Sequence, residues 1–427
     1  MAESGPKLVP LEGLRGIAAA VVVLYHLVLG FTAKGVSVVP QGHGPLDVLA
    51  QFGLGLLNGS AAVAVFFVLS GFILSLPFSR DRRISRVLVA LLKRWPRLAG
   101  VTMIACLFAY GLILWSGHDY KDAASITGAG WMASHGNSPI EHKHLSWLGA
   151  LHEGLIAVFT KGEVRFDSPL WTMRIELFCS LAIFLAAPIL FAIRSWPLRA
   201  ALIGVAVLSA GTTFPQTHFS DFLCGTVLAM LFAENRLPAI PGKLALPLGL
   251  VVLYLFSFTY EQQLLIHAPL KAILPKGDSA HFVWDVGAVL SILLLLGNQA
   301  LYRIFSGSWA IWLGLLSFPI YLLHGPIMLT VGAHSVVASA GLLGVNGSEL
   351  MAALISITLT LACAIPLARL DQAWLNLLTR ATRPSWPNGL RPGAFPRKRP
   401  GLCPGPAKGR KALGSHPGYK KRAHPVS

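Results

Sequence analysis

Leu11-Glu-Gly-Leu-Arg15-Gly-Ile-Ala-Ala-Ala-Val-Val-Val-Leu-Tyr-His26 opens the first long apolar run of a 427-residue chain. Its reading decides the fold class. Small and aliphatic side chains fill it on every face, as a membrane-spanning helix requires. Arg15 and His26 interrupt the run eleven positions apart. Eleven helical steps make about three turns and roughly 16 Å of rise, so both side chains project from one face. Ionisable groups at that depth are costly; they pair, line a cavity or do chemistry. A guanidinium at the rim with an imidazole deeper suggests a shaft with an anion at its mouth and proton transfer inside. The plainer alternative is an end-anchoring arginine and a histidine bonded to a neighbouring helix. Gly16, Ala18, Ala19 and Ala20 would let that neighbour approach closely.

The rest of the chain repeats the apolar pattern. It is 54% hydrophobic and 12% charged, with a mean hydropathy of +0.63; a soluble domain carries about twice that charge fraction. Spanning stretches fall near 14–32, 59–78, 98–116, 170–193, 199–214, 218–233, 244–260, 281–297, 309–332 and 350–370. They predict an all-α, polytopic membrane bundle of about ten transmembrane helices. Residues 1–10 carry little positive charge and no small-residue cleavage site follows, so the first span is expected to stay as an anchor. The basic clusters Ser79–Arg86 and Lys93–Arg97 belong on the cytoplasmic side, which places both termini there too, with Arg194, Arg199, Arg236, Lys243 and Arg303.

The net charge of +17 is unevenly placed. Residues 380–427 hold 12 Lys/Arg and no acid, leaving 23 basic against 18 acidic residues, a net +5, over residues 1–379. We read 1–379 as the transmembrane domain. The Pro/Gly-rich 380–427 reads as a disordered cytoplasmic tail near anionic lipid headgroups, with no nucleic-acid role. The five cysteines stand singly and form no metal or disulfide pattern. Residues 117–169 contain His118, His135, His142, His144 and His152 among Gly, Ser and Lys. No carboxylate stands at firm ligand spacing, so this segment is read as a solvated loop over the membrane face, with no metal site.

Three further constellations interrupt the apolar runs. Arg94-Trp-Pro-Arg97 begins the third span, where a helix N-terminus and two arginines favour an anion, although a basic anchor would look the same. Ser168-Pro-Leu-Trp171-Thr-Met-Arg174-Ile-Glu176 begins the fourth, with Glu176 the more enclosed charge and Trp171 at the interface. Phe318-Pro-Ile-Tyr321-Leu-Leu-His324-Gly-Pro326 sits in the ninth, its prolines freeing carbonyls around an imidazole. These groups fit a path through the membrane and suit an enzyme or a proton-coupled exporter of a glycolipid or small anion.

Together the motifs resemble the membrane acyltransferase-3 family of bacterial O-acyltransferases, which modify surface polysaccharides and some small molecules. Leu11 to His26 is similar to its Arg-x10-His hallmark, and Phe66-Phe-Val-Leu-Ser-Gly-Phe72 to its second-span signature. Arg94–Arg97 resembles its Arg-x-x-Arg element, Trp171–Glu176 its Trp-x-x-x-x-Glu element, and Tyr321–Pro326 its Tyr-x-x-His-x-Pro pattern. The resemblance implies a cytoplasmic acyl-CoA donor, most often acetyl-CoA, and a hydroxyl acceptor on an envelope polysaccharide or lipid-linked glycan at a bacterial inner membrane. Arg94 and Arg97 would hold CoA phosphates and Arg15 would guide the donor. His26 would be general base or transient acyl carrier, with Glu176 or His324 orienting it; Tyr321, His324 and Trp171 would bind or orient the acceptor. Arg174 stands where the family usually has a small polar residue, and the soluble hydrolase-like domain of some members is not seen in this sequence.

Overall fold

The computed structural model describes residues 8–32, 49–50, 53, 56–116, 119–135, 145–213, 218–258, 265–274 and 279–382. The expected tail from 383 onward, His118, His142 and His144 lie outside them. The described residues form helices and connecting turns without strands. Ten helices carry the architecture: α1 (Val9–Phe31), α2 (Gly59–Ser75), α3 (Ile84–Ser116), α4 (Trp171–Ala192), α5 (Trp196–Thr213), α6 (Phe219–Ala233), α7 (Gly242–Phe256), α8 (Ser279–Gly297), α9 (Ser308–Ile327) and α10 (Ala333–Ala381). Each predicted apolar stretch falls on one of them. By length and composition, six helical runs among the described residues can cross a membrane. The longest, residues 308–381, joins α9 to α10 through a π-turn at Met328–Gly332. It bends at Gly344, whose φ of 68° favours glycine.

Small residues set the closest helix approaches. α1 runs parallel to α9: a Cβ on Gly13 would meet Ala310, one on Gly16 Leu313, and one on Gly30 Met328. α2 and α6 touch backbone to backbone, because a Cβ on Gly71 would lie 2.1 Å from the Phe222 carbonyl oxygen and one on Gly225 2.0 Å from that of Val68. Asn58 caps α2 by accepting from the Ala61 N–H, and its amide donates to the Phe256 carbonyl, tying α2 to the end of α7. The ends of α1, α7 and α9 therefore meet the starts of α2, α4, α6 and α8. At the opposite end Arg82 donates to the Phe191 carbonyl and Arg199 pairs with Glu234. That is the basic end.

The segment read as a loop over the membrane face is instead largely helical. Asp119–Thr127, Gly130–His135 and Trp147–His152 are α-helical. Tyr120, Ala123, Ala124 and Thr127 recur at helical spacing and are buried. Polar Gly, Ser and Lys neighbours diluted that short stripe in the sequence. Asp119–Thr127 and Gly130–His135 cap the end of the bundle away from the basic clusters, where Met132 is completely buried; Trp147–His152 leads into residues packed along α3, where Trp95 donates to the Leu155 carbonyl.

Candidate active site

α9 arranges the candidate groups in levels along its length. Nearest the basic end, Arg15 donates through Nε to Ser317 Oγ (2.9 Å) and through Nη2 to the Gly314 carbonyl (2.8 Å), and it pairs with Glu12 at 2.5 Å. The Arg97 guanidinium lies 5.8 Å from the Phe318 ring centroid and binds both oxygens of Asp371, at 2.5 and 3.2 Å. One turn on, the Tyr321 hydroxyl donates to the Pro169 carbonyl (2.8 Å) and lies 2.9 Å from Thr172 Oγ1. His324 follows after another turn. Ser317 to His324 is seven residues, about 10 Å of rise.

The level at His324 carries the chemistry. His26 Nδ1 and His324 Nε2 are 2.9 Å apart, with the rings stacked at 5.0 Å. His324 is 2% exposed, and its Nδ1 faces the Ile320 carbonyl at 3.2 Å. A carbonyl only accepts, so that nitrogen carries the proton and His324 Nε2 offers a lone pair. His26 Nδ1–H must then donate to it, which leaves the His26 Nε2 lone pair as the basic site. This is how a histidine's partner selects its tautomer. Trp131 of the cap lies 5.4 Å from the His26 ring. Because α1 begins at Val9 and ends at Phe31, His26 stands little more than one turn from the helix's C-terminal end.

Other expected groups have different companions. Glu176 accepts from Ser70 Oγ (2.9 Å) and pairs with Arg94, whose Nε donates to Ser180 Oγ. The structure thus brings Glu176 to Arg94, and His26 to His324. Both arginines read as phosphate ligands have a carboxylate within the chain, since buried charge must be paired. Trp171 is 43% exposed at the start of α4, 5.9 Å from the His218 ring. Arg174 is exposed beside Gly162. A cavity of about 640 Å³ opens between α3 and α10, with Gly100, Ile104, Asp371, Trp374 and Arg380 on its wall. Among the described residues, no group of three or more His, Cys, Asp or Glu could hold a metal ion.

Sequence reasoning missed several polar groups. Asp371, the partner of Arg97, lies one residue past the last predicted span. Asp167 is 1% exposed, and neither carboxyl oxygen has a partner among the described residues. A Cβ on Gly325, the residue after His324, would lie 3.1 Å from its Oδ1. Asp221 and Asp285 are buried acidic residues within predicted spans. The rule that singled out Glu176, an acid in an apolar run, applies equally to both.

Comparisons with known proteins supply the family. A family model described as an acyltransferase domain matches residues 9–369. The O-acetyltransferase PaAT-1 of Phomopsis amygdali is 25% identical over 366 residues, covering 75% of this chain and 72% of that protein. No solved structure matches the chain. The chain belongs to the acyltransferase-3 family and is a multi-pass membrane O-acyltransferase.

Proposed function

We propose that the protein transfers an acetyl group from acetyl-CoA to a hydroxyl of an envelope polysaccharide or lipid-linked glycan, with the donor entering at the basic end. The His26–His324 hydrogen bond carries this reading, because it makes His26 a half-buried base whose Nε2 bears the lone pair. In the step, His26 Nε2 takes the acceptor's hydroxyl proton while the oxygen attacks the thioester carbonyl. The carbon–sulfur bond breaks, and the imidazolium returns the proton to the departing thiolate. General base catalysis of this kind contributes about 10²–10⁴-fold.

Arg15 and Arg97 supply positive charge for the donor's phosphates, and the cavity beside Asp371 accommodates its apolar arm. Arg94 and Glu176 brace α3 against α4 along the same path. Tyr321 and Trp171 face the acceptor side, and Glu176 tunes the site through Arg94. The O-acetyltransferase activity of the Phomopsis amygdali relative supports acetyl as the transferred group. The positive-inside rule supports a cytoplasmic basic end and tail at a bacterial inner membrane.

The test is CoA release by purified protein in lipid nanodiscs, supplied with acetyl-CoA and cell-surface glycan. Mass spectrometry before and after mild base follows the ester. Wild type should release CoA and form an alkali-labile ester, and His26→Ala should do neither. Full activity in His26→Ala, or no CoA release by wild type with any glycan, would overturn the proposal. Labelled acetyl trapped on His26 would make it the acyl carrier. Arg97→Glu should raise the donor KM well above any change in the acceptor KM.

A further inference from the structure

A second cluster stands at the capped end, at the first turns of α6 and α8. His218 Nδ1 lies 3.1 Å from Asp221 Oδ2. The His281 ring meets that of His218 edge-on at 4.5 Å, and Asp285 follows one turn along α8. The Asp221 and Asp285 carboxyls lie close together and could meet only by sharing a proton; they are 1% and 5% exposed. Asp285 Oδ1 nevertheless has no hydrogen-bond partner among the described residues. Indole surfaces flank the group: Trp284 lies 5.1 Å from His281, and the half-exposed Trp171 lies 5.9 Å from His218.

Two buried carboxyls in apolar surroundings are expensive, and an unsatisfied oxygen adds to that cost. A ligand that donates hydrogen bonds and presents an apolar face would offset that cost. Sugar rings have both features, with hydroxyls at the edge and C–H groups on the face. Acidic groups disfavour a phosphate. We propose that His218, Asp221, His281 and Asp285, with Trp171 as stacking surface, form a subsite for a neutral pyranose ring of the acceptor. This rests on the proposed glycan acylation.

The placement sets its register. Neighbouring residues of α2 face the two centres: Phe66 lies 5.9 Å from Tyr321 and Phe67 4.9 Å from His218. One helix thus stands between the Tyr321 level, one turn from His324, and the subsite, a lateral offset of roughly 10 Å. The ring held here is therefore a neighbour of the one acylated, so the acceptor is at least a disaccharide or a glycoside.

Tryptophan fluorescence of the protein in nanodiscs, titrated without donor, tests this directly. The probes are methyl glycosides of common hexoses, their disaccharides, and tetramethylammonium chloride as a cationic control. Wild type and His26→Ala should give saturable quenching with at least one glycoside, tighter for the disaccharide. Asp285→Asn and Asp221→Asn should weaken it at least tenfold, and Trp171→Phe should weaken it with folding intact. No saturable response to any glycoside would overturn the subsite. So would a response unchanged in Asp285→Asn and Trp171→Phe, or one confined to tetramethylammonium. Because donor is absent, this failure is distinguishable from failure of the acetyl-transfer reading, which is scored by CoA release.

Discussion

Replacing His324 separates a positioned base from two histidines that merely touch. In His324→Ala, the His26 Nδ1–H loses the acceptor now 2.9 Å away, and nothing selects the tautomer that exposes Nε2. His324 is 2% exposed, so water replaces that bond poorly. A buried donor left without an acceptor costs about 1–3 kcal/mol. At about 1.36 kcal/mol per factor of ten, kcat should fall roughly 5- to 150-fold, with the acetyl-CoA KM near that of wild type. His324→Gln places an amide oxygen where Nε2 now accepts, and should recover part of the loss. His26→Gln removes the base itself and should cost about 10²–10⁴-fold. The assay is steady-state CoA release in nanodiscs, with thermal unfolding to verify each variant's fold. A His324→Ala enzyme within twofold of wild type would refute the tautomer argument, as would Gln and Ala variants of equal activity.

Other outcomes follow from the same packing. Glu176→Gln leaves the enclosed Arg94 guanidinium without its carboxylate and should destabilise the fold by about 3–5 kcal/mol; the Arg94→Glu/Glu176→Arg exchange should recover part of this in thermal unfolding. Gly225→Ala drives a methyl against the Val68 carbonyl and should cost about 1–3 kcal/mol or more. Gly204→Ala has open space around it and should stabilise α5 by about 0.5–1 kcal/mol. Asp167→Asn removes a carboxyl that has no partner among the described residues and whose burial pushes its pKa well up, so that it must take up a proton on folding; the unfolding midpoint at neutral pH should rise, whereas an equal or lower midpoint would show that the carboxyl is satisfied in the native protein.

Much of this molecule was legible because the membrane simplifies the code. In hydrocarbon every backbone group must bond within its own segment, so a long apolar run has few structures other than a helix. The ten runs accordingly became ten helices, and the costly residues within them, Arg15, His26, Glu176 and His324, lie at enclosed polar contacts. The region between α3 and α4 was harder to read. Its apolar stripe at Tyr120, Ala123 and Ala124 is short, and the burial it reports depends on a surface formed by distant segments.

Pairing is where sequence reasoning ran out. His26 and His324 are 298 positions apart, and Arg94 and Glu176 are 82 apart. Nothing local says that Glu176 meets an arginine rather than the histidine. That choice follows from which small residues permit close contact. Gly13 and Gly16 seat α1 on α9, which brings the imidazoles together, whereas Glu176 falls against α3. The sequence by itself determined an all-α membrane bundle and the costly residues that its interior must accommodate, because the energy of charge in hydrocarbon depends on residue type and depth. Only the tertiary structure decided the partners, because partnership depends on rotation and approach of helices distant in the chain. The His26 tautomer is the clearest case, since it depends on a single carbonyl, that of Ile320, on another helix.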